Sequence, residues 1–173
     1  VELAATQILL QFLHISSYGM DGFAFAAEVL VGQAVGKSNR FMLRDAVIKS
    51  ALWTFVIAIF LALIYALYGS FFIKIMTTSD EVILASEAFL IFIVLGPIFG
   101  ALPFLMDGIF VGATRAIDMR NMMFLSLIIY AVSAYLLIDL YGFYGLWLAL
   151  LVSYAARGIS LVIRYPKLEK SIS

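Results

Sequence analysis

A polar stripe runs through the first apolar stretch of this 173-residue chain. Its members are Gln7, Gln11, His14, Tyr18, Asp21 and Glu28. Four of them are spaced by sevens, and seven residues make nearly two turns, so a helix presents all six along one side. A carboxylate in an apolar site can take up and release a proton near neutral pH, or stay ionised and bind a cation. Asp21 and Glu28 are therefore predicted to bind a proton or cation, and the other four to line a cavity.

The polar stripe also has a structural alternative. Polar side chains can join neighbouring membrane helices by hydrogen bonds, and the same pattern fits that role. We favour a transport pathway or binding face, because two carboxylates on one side are more than the joining of two helices by hydrogen bonds requires. A charged side chain at the bilayer centre costs about 2.5–3.5 kcal/mol on the insertion scale, so a charged residue at that depth usually has a function. His14 fits either a structural histidine or a member of a proton relay.

Asp107 is the third candidate for binding a proton or cation. It follows Pro97 and Pro103 in another apolar stretch. Proline kinks a helix by freeing a carbonyl one turn earlier, and a kinked helix beside an acid often forms a cation or substrate site in transporters. The alternative is an ion pair with Arg115, two turns further along. Arg157 is predicted to extend to the cytoplasmic surface.

Long apolar segments must position these residues. The chain is 65% hydrophobic and only 13% charged, and a soluble protein of this size could not bury so much apolar surface. Five segments exceed or approach the length that a bilayer requires, at residues 3–36, 46–72, 82–113, 122–138 and 143–163. The sequence predicts an all-α, polytopic membrane bundle with five transmembrane helices.

The basic residues predict the orientation of this bundle. Of the eleven Lys and Arg residues, all except Lys74 fall on one side of the predicted spans. The positive-inside rule makes that side cytoplasmic, so the chain starts outside and its C-terminus is cytoplasmic. An odd number of spans entering from outside predicts that residues 1–173 are one lobe of a larger protein.

Several function classes lack support in the composition. The net charge is zero, so nothing indicates a nucleic-acid partner, and the chain has no cysteine and a single histidine. No zinc motif, cofactor fingerprint or Ser/His/Asp arrangement occurs. The sequence therefore predicts neither an enzyme nor a bound metal or cofactor.

Glycines recur at four-residue spacing in three pairs. The pairs are Gly32/Gly36, Gly96/Gly100 and Gly108/Gly112. Small residues at this spacing let two membrane helices approach closely, so we expect these glycines at helix crossings.

Three segments resemble a known family. "DGFAFAAEVLVGQAVGK", "MDGIFVGATRAIDMRN" and "GLWLALLVSYAARG" resemble the C-terminal half of multidrug and toxic compound extrusion (MATE) transporters, most closely the DNA-damage-inducible F branch. The resemblance covers nearly the whole chain. It implies a parent of twelve helices in two lobes around a central cavity. These spans would be the eighth to twelfth, with the N-terminal lobe and seventh helix absent.

The resemblance also implies a function. The parent would be a cation-coupled antiporter, driven by protons or sodium, that exports organic or cationic compounds across the inner (plasma) membrane. Its partners would be an organic small molecule, the lipid bilayer and the N-terminal lobe. Asp107 lies about one turn after the position that matches the acid often found in this helix of the family. Two alternatives are a lipid-linked flippase of the same superfamily and a non-transporting membrane scaffold subunit.

Overall fold

The computed structural model describes residues 1–172, and these residues form helices without a strand. The helices are α1 (Glu2–Gly36), α2 (Arg40–Met76), α3 (Asp80–Ala88), α4 (Leu90–Gly112), α5 (Ala116–Tyr141) and α6 (Phe143–Lys170). The connections between them are a few residues long, so consecutive long helices run antiparallel. The prediction of an all-α bundle is confirmed.

Local sequence explains where the helices begin and end. The side chain of Asn39 accepts a hydrogen bond from the backbone N–H of Met42 and caps the start of α2. Gly142 joins α5 to α6 with φ of +59°, in the left-handed region that glycine adopts without steric cost. This single-residue turn places α5 and α6 side by side as a hairpin.

The third predicted span, residues 82–113, is divided. It falls on the nine-residue helix α3 and on α4, which meet at Phe89. Within the predicted span, α3 carries Ser86 and Glu87, and water solvates a carboxylate better than lipid does, so the short helix is more polar than α4. Within residues 1–172, four helices are long and apolar enough to cross a membrane: α2, α4, α5 and α6. The predicted count of five is therefore slightly off, and the 35-residue α1 with its polar stripe is not among the four.

Helix α4 is the centre of the bundle, and it packs against α1, α2 and α6. Two apolar clusters fill the space between these helices. One includes Val31, Leu43 and Phe110, and the other includes Leu9 and Ile93. Helix α5 packs mainly on α6 and buries few of its own residues. The bundle thus leaves one side of α1, α4 and α6 open beside α5.

Glycines of α4 bring its backbone against that of α1. Gly108 lies against the backbone of Ala24, and Gly112 lies against the backbone of Glu28, so a side chain at either position would overlap the facing helix. Gly96 and Gly100 face the side chains of Leu13 and Met20 of α1. In the third pair Gly32 lies beside the backbone of Gly112, whereas no atom of another helix lies within 4 Å of a methyl group at Gly36, so the expectation of close helix contact is met by two whole pairs and by one member of the third. The contact fixes the height of Glu28 relative to α4.

We predict that Gly108→Ala destabilises the bundle by roughly 1–3 kcal/mol, the usual cost of overpacking a well-filled contact. The added methyl group would meet the Ala24 carbonyl. Gly22→Ala is the matched control, since no atom lies within 4 Å of a methyl group at that position. Thermal unfolding of the purified protein in detergent measures both. Equal melting temperatures for the two variants would contradict the observed α1–α4 contact.

Candidate functional site

The polar stripe lies on the open side of α1. Its first four members, Gln7, Gln11, His14 and Tyr18, are exposed, and its last two, Asp21 and Glu28, are half-buried. The opposite side of α1 packs into the bundle through residues such as Leu9 and Met20. Helical periodicity therefore divides α1 into an apolar side that faces its neighbours and a polar side that does not.

A different set of residues joins α1 to α2 by hydrogen bonds. The hydroxyls of Ser16 and Tyr65 are 3.0 Å apart, and the Tyr65 hydroxyl donates to the carbonyl of Phe12. Both side chains are buried on the packed side of α1. Within residues 1–172, no side chain of the polar stripe makes a hydrogen bond or ion pair to another helix. The stripe is thus not the seam between the helices described.

Asp107 pairs with Arg157 of α6. The guanidinium Nη2 donates to the carboxylate Oδ2, and both side chains are 21% exposed. Arg115, the partner in the alternative interpretation, instead lies 3.6 Å from Asp118 in the first turn of α5. The prediction that Arg157 extends to the cytoplasmic surface is wrong. The carboxylate of Asp107 lies within reach of the guanidinium and supplies a charge-assisted hydrogen bond there.

The helix crossings explain how two residues fifty positions apart meet. Gly158 follows Arg157 and lies against the side chain of Leu102, so α6 approaches α4 closely at this level. Asp107 likewise precedes Gly108 at the crossing of α4 with α1. Each charged residue stands next to a glycine at a close crossing. The pair is therefore set by the crossing of α4 with α1, where backbones meet, and by that of α4 with α6, where Gly158 meets the side chain of Leu102.

A cavity of about 240 Å³ brings the three predicted acids together. Asp21 and Glu28 of α1, Asp107 of α4 and Arg157 of α6 line it. The remaining wall is mostly apolar and includes Phe104 and side chains from α5. Gln7, Gln11, His14 and Tyr18 do not line this cavity and lie further along the open side of α1. The cavity thus holds three carboxylates and one cation.

The pairing inside the cavity is incomplete. Asp107 Oδ1 and Arg157 Nε are buried and have no hydrogen-bond partner, whereas a bidentate arginine–carboxylate pair would use both. In residues 1–172, no three Asp, Glu or His side chains lie close enough to hold one metal ion together.

Further ion pairs fix the C-terminal part of α6. Arg164, one heptad after Arg157, donates to Asp118 of α5 at 2.6 Å. Glu169 pairs with Arg44 of α2. Sequence reasoning missed the part that Arg157 plays in the cavity. The available signal was its place inside the predicted apolar span 143–163, which calls for a partner within the membrane.

Comparisons with known proteins agree on one family. The MatE family model matches residues 1–136. DNA damage-inducible protein F of Escherichia coli (strain K12) is 34% identical over 159 residues, which are 92% of this chain and 34% of that protein. The crystal structure of the eukaryotic MATE transporter AtDTX14 superposes with a TM-score of 0.88 at 18% identity, over 99% of this chain and 40% of that one. The chain therefore spans about a third of the length of the curated relative that it matches.

The fold, the membrane-length apolar helices and the family model lead to one assignment, and the resemblance seen in the sequence is confirmed. The chain belongs to the MatE family of multi-pass membrane transporters.

Proposed function

We propose that this chain is the C-terminal lobe, less one helix, of an antiporter that couples proton or sodium entry to export of organic or cationic compounds. The observation that carries the proposal is the shared cavity in which Asp21, Glu28 and Asp107 face the single cation of Arg157. Carboxylates that outnumber their counter-cations in a partly buried site favour binding of a further positive charge. Protonation or cation binding is the event that a coupled transporter requires.

In this proposal, the charge of the cavity selects between two conformations of the lobe. With its carboxylates ionised, it holds excess negative charge in surroundings of low polarity, and this charge favours conformations that admit water. With a proton bound, the charge falls and a closed conformation becomes less costly. The incomplete coordination around Asp107 favours the proton over sodium as the coupling ion.

The exposed part of the polar stripe is suited to contact the exported compound. Gln7, Gln11, His14 and Tyr18 lie on the open face of α1, where an N-terminal lobe would enclose a central cavity with them. The Tyr18 ring is 75% exposed, and an aromatic face attracts organic cations. We place the protein in the inner (plasma) membrane, with its basic connections in the cytoplasm. An anionic lipid-linked substrate is disfavoured, since the one arginine in the cavity is already paired with a carboxylate.

We expect Asp21→Asn, Glu28→Gln and Asp107→Asn to lower export of a fluorescent cationic dye by the complete transporter. The loss should reach about tenfold or more, which corresponds to about 1.4 kcal/mol of lost charge interaction. Asp45→Asn is the matched control, because Asp45 pairs with Lys49 at 2.7 Å on the exposed start of α2. Dye efflux at equal expression, under imposed pH and sodium gradients, measures the effect. Full activity in all three cavity variants would overturn the proposal.

A second prediction separates a water-lined face from a helix seam. Residues 1–173 contain no cysteine, so once any cysteine in the rest of the transporter has been replaced by serine, single cysteines in this lobe can be labelled without background. Asp21→Cys and Glu28→Cys should react with a small water-soluble methanethiosulfonate in the complete transporter. Ser16→Cys should not, because Ser16 is 1% exposed on the packed side of α1. If positions 21 and 28 are as unreactive as position 16, the stripe is buried against protein and its structural role is favoured.

A further inference from the structure

We propose that Arg157 is a resident counter-cation that competes with the coupling proton for Asp107. In the unloaded state its guanidinium holds the carboxylate, and a proton that binds Asp107 releases it. This inference rests on the proposed function and assigns a specific part in it to a residue of α6. Arg157 stays positively charged throughout, while the charge of Asp107 changes from −1 to 0.

The geometry of the pair supports an exchange of partners. Only Nη2 of Arg157 and Oδ2 of Asp107 are engaged, and the buried Nε and Oδ1 have no partner. Buried polar atoms without partners cost free energy, so a pair built only for stability would use both contacts. The monodentate pair leaves one oxygen of Asp107 free to accept a proton before the arginine leaves.

The charges around the pair favour a competitor. Asp21 and Glu28 approach it from α1, Tyr154 stands beside Arg157 on α6, and α5 contributes uncharged side chains such as Met123. No other cation lines the cavity. Three carboxylates line the cavity with one guanidinium, so a proton that neutralises Asp107 leaves the arginine beside two further acids.

A second cavity offers the guanidinium another position. It has a volume of about 360 Å³, lies between α5 and α6, and shares Arg157 and Met123 with the cavity of the carboxylates. Its wall includes the hydroxyls of Ser126 and Ser153, which can accept hydrogen bonds from a guanidinium. Arg157 thus stands between two cavities, with acids on one side and hydroxyls on the other.

The movement is confined to the side chain. Gly158 holds the backbone of α6 against Leu102 of α4, and Arg164 and Glu169 tie the end of α6 to α5 and α2. The backbone of α6 therefore stays in place while the guanidinium of Arg157 moves away from the protonated Asp107. The rest of the lobe need not unfold or separate for this exchange.

The test measures proton binding to Asp107 in the complete transporter. Difference infrared spectroscopy follows the carboxylic acid C=O band, which Asp107→Asn identifies by removing it. Arg157→Met should raise the proton affinity of Asp107 about tenfold or more, so that it stays protonated to a higher pH, because an adjacent opposite charge favours ionisation by at least that factor. Arg157→Lys keeps the charge and should restore an affinity near that of the wild type.

Arg164→Met is the matched control. It removes an arginine–aspartate pair on the same helix but leaves the carboxylate cavity unchanged, so the proton affinity of Asp107 should not move. Because Arg157→Met leaves a carboxylate without its partner, Arg157→Gln serves as a second variant that retains a hydrogen-bond donor. Monodisperse gel filtration confirms folding of each variant.

The outcomes separate the inference from the proposed function. Unchanged proton affinity in folded Arg157→Met or Arg157→Gln, with pH-driven dye export in the wild type, overturns the inference and leaves the proposed function standing. Absence of any gradient-driven export by the wild type overturns both. Tighter binding of radioactive sodium in the arginine variants, with proton affinity unchanged, shows that sodium competes with the arginine and also overturns the assignment to a proton.

Discussion

The contact between the backbones of α1 and α4 is the constraint on which the candidate site depends. Gly108 and Gly112 let α4 approach Ala24 and Glu28 until backbone meets backbone. Lipid provides little hydrophobic driving force for helix association, so close packing of small residues is a principal means of joining helices in a membrane. Because the contact fixes both the distance and the height of the two helices, it also fixes where Asp107 stands relative to Glu28.

The ion pairs of α6 extend this arrangement to the rest of the bundle. Arg157 joins α6 to α4, and Arg164 joins it to α5. The two arginines are seven residues apart and lie on one side of the helix. The first pair lines the carboxylate cavity, while the second lies nearer the C-terminal end of α6 and is more exposed on its arginine side. We therefore assign the proposed response to a proton to the first pair alone.

One side of α1 packs against the bundle, and the other side carries the residues of the proposed function. Ser16, with Tyr65 of α2, forms a buried hydrogen-bonded contact of the kind that membrane helices use for association. Asp21 and Glu28, on the other side, share a cavity with Asp107 and make no hydrogen bond to a described helix. A single helix thus holds the bundle together with one face and presents ionisable groups with the other.

The sequence predicted much of this because the patterns involved are local. Hydrophobic runs indicated the helices, seven-residue spacing indicated the polar stripe, and glycine spacing indicated close crossings. The break at Phe89 was missed, since the apolar run from α3 into α4 looks continuous when read by hydropathy alone. Glu87, a charged residue two positions before Phe89, was the local sign of that break.

The sequence by itself determined that the chain is a membrane bundle, which residues are ionisable within it, and that Asp21 and Glu28 share one side of a helix. Only the tertiary structure decided that Asp107 joins them and that Arg157, not Arg115, is its partner. The physical reason is that periodicity fixes directions within one helix, whereas a partner fifty residues away depends on how closely and at what height two helices cross. Here the crossing of α4 with α1 depends on backbone contact at glycines and that of α4 with α6 on Gly158 against Leu102, and no pattern along a single helix contains that information.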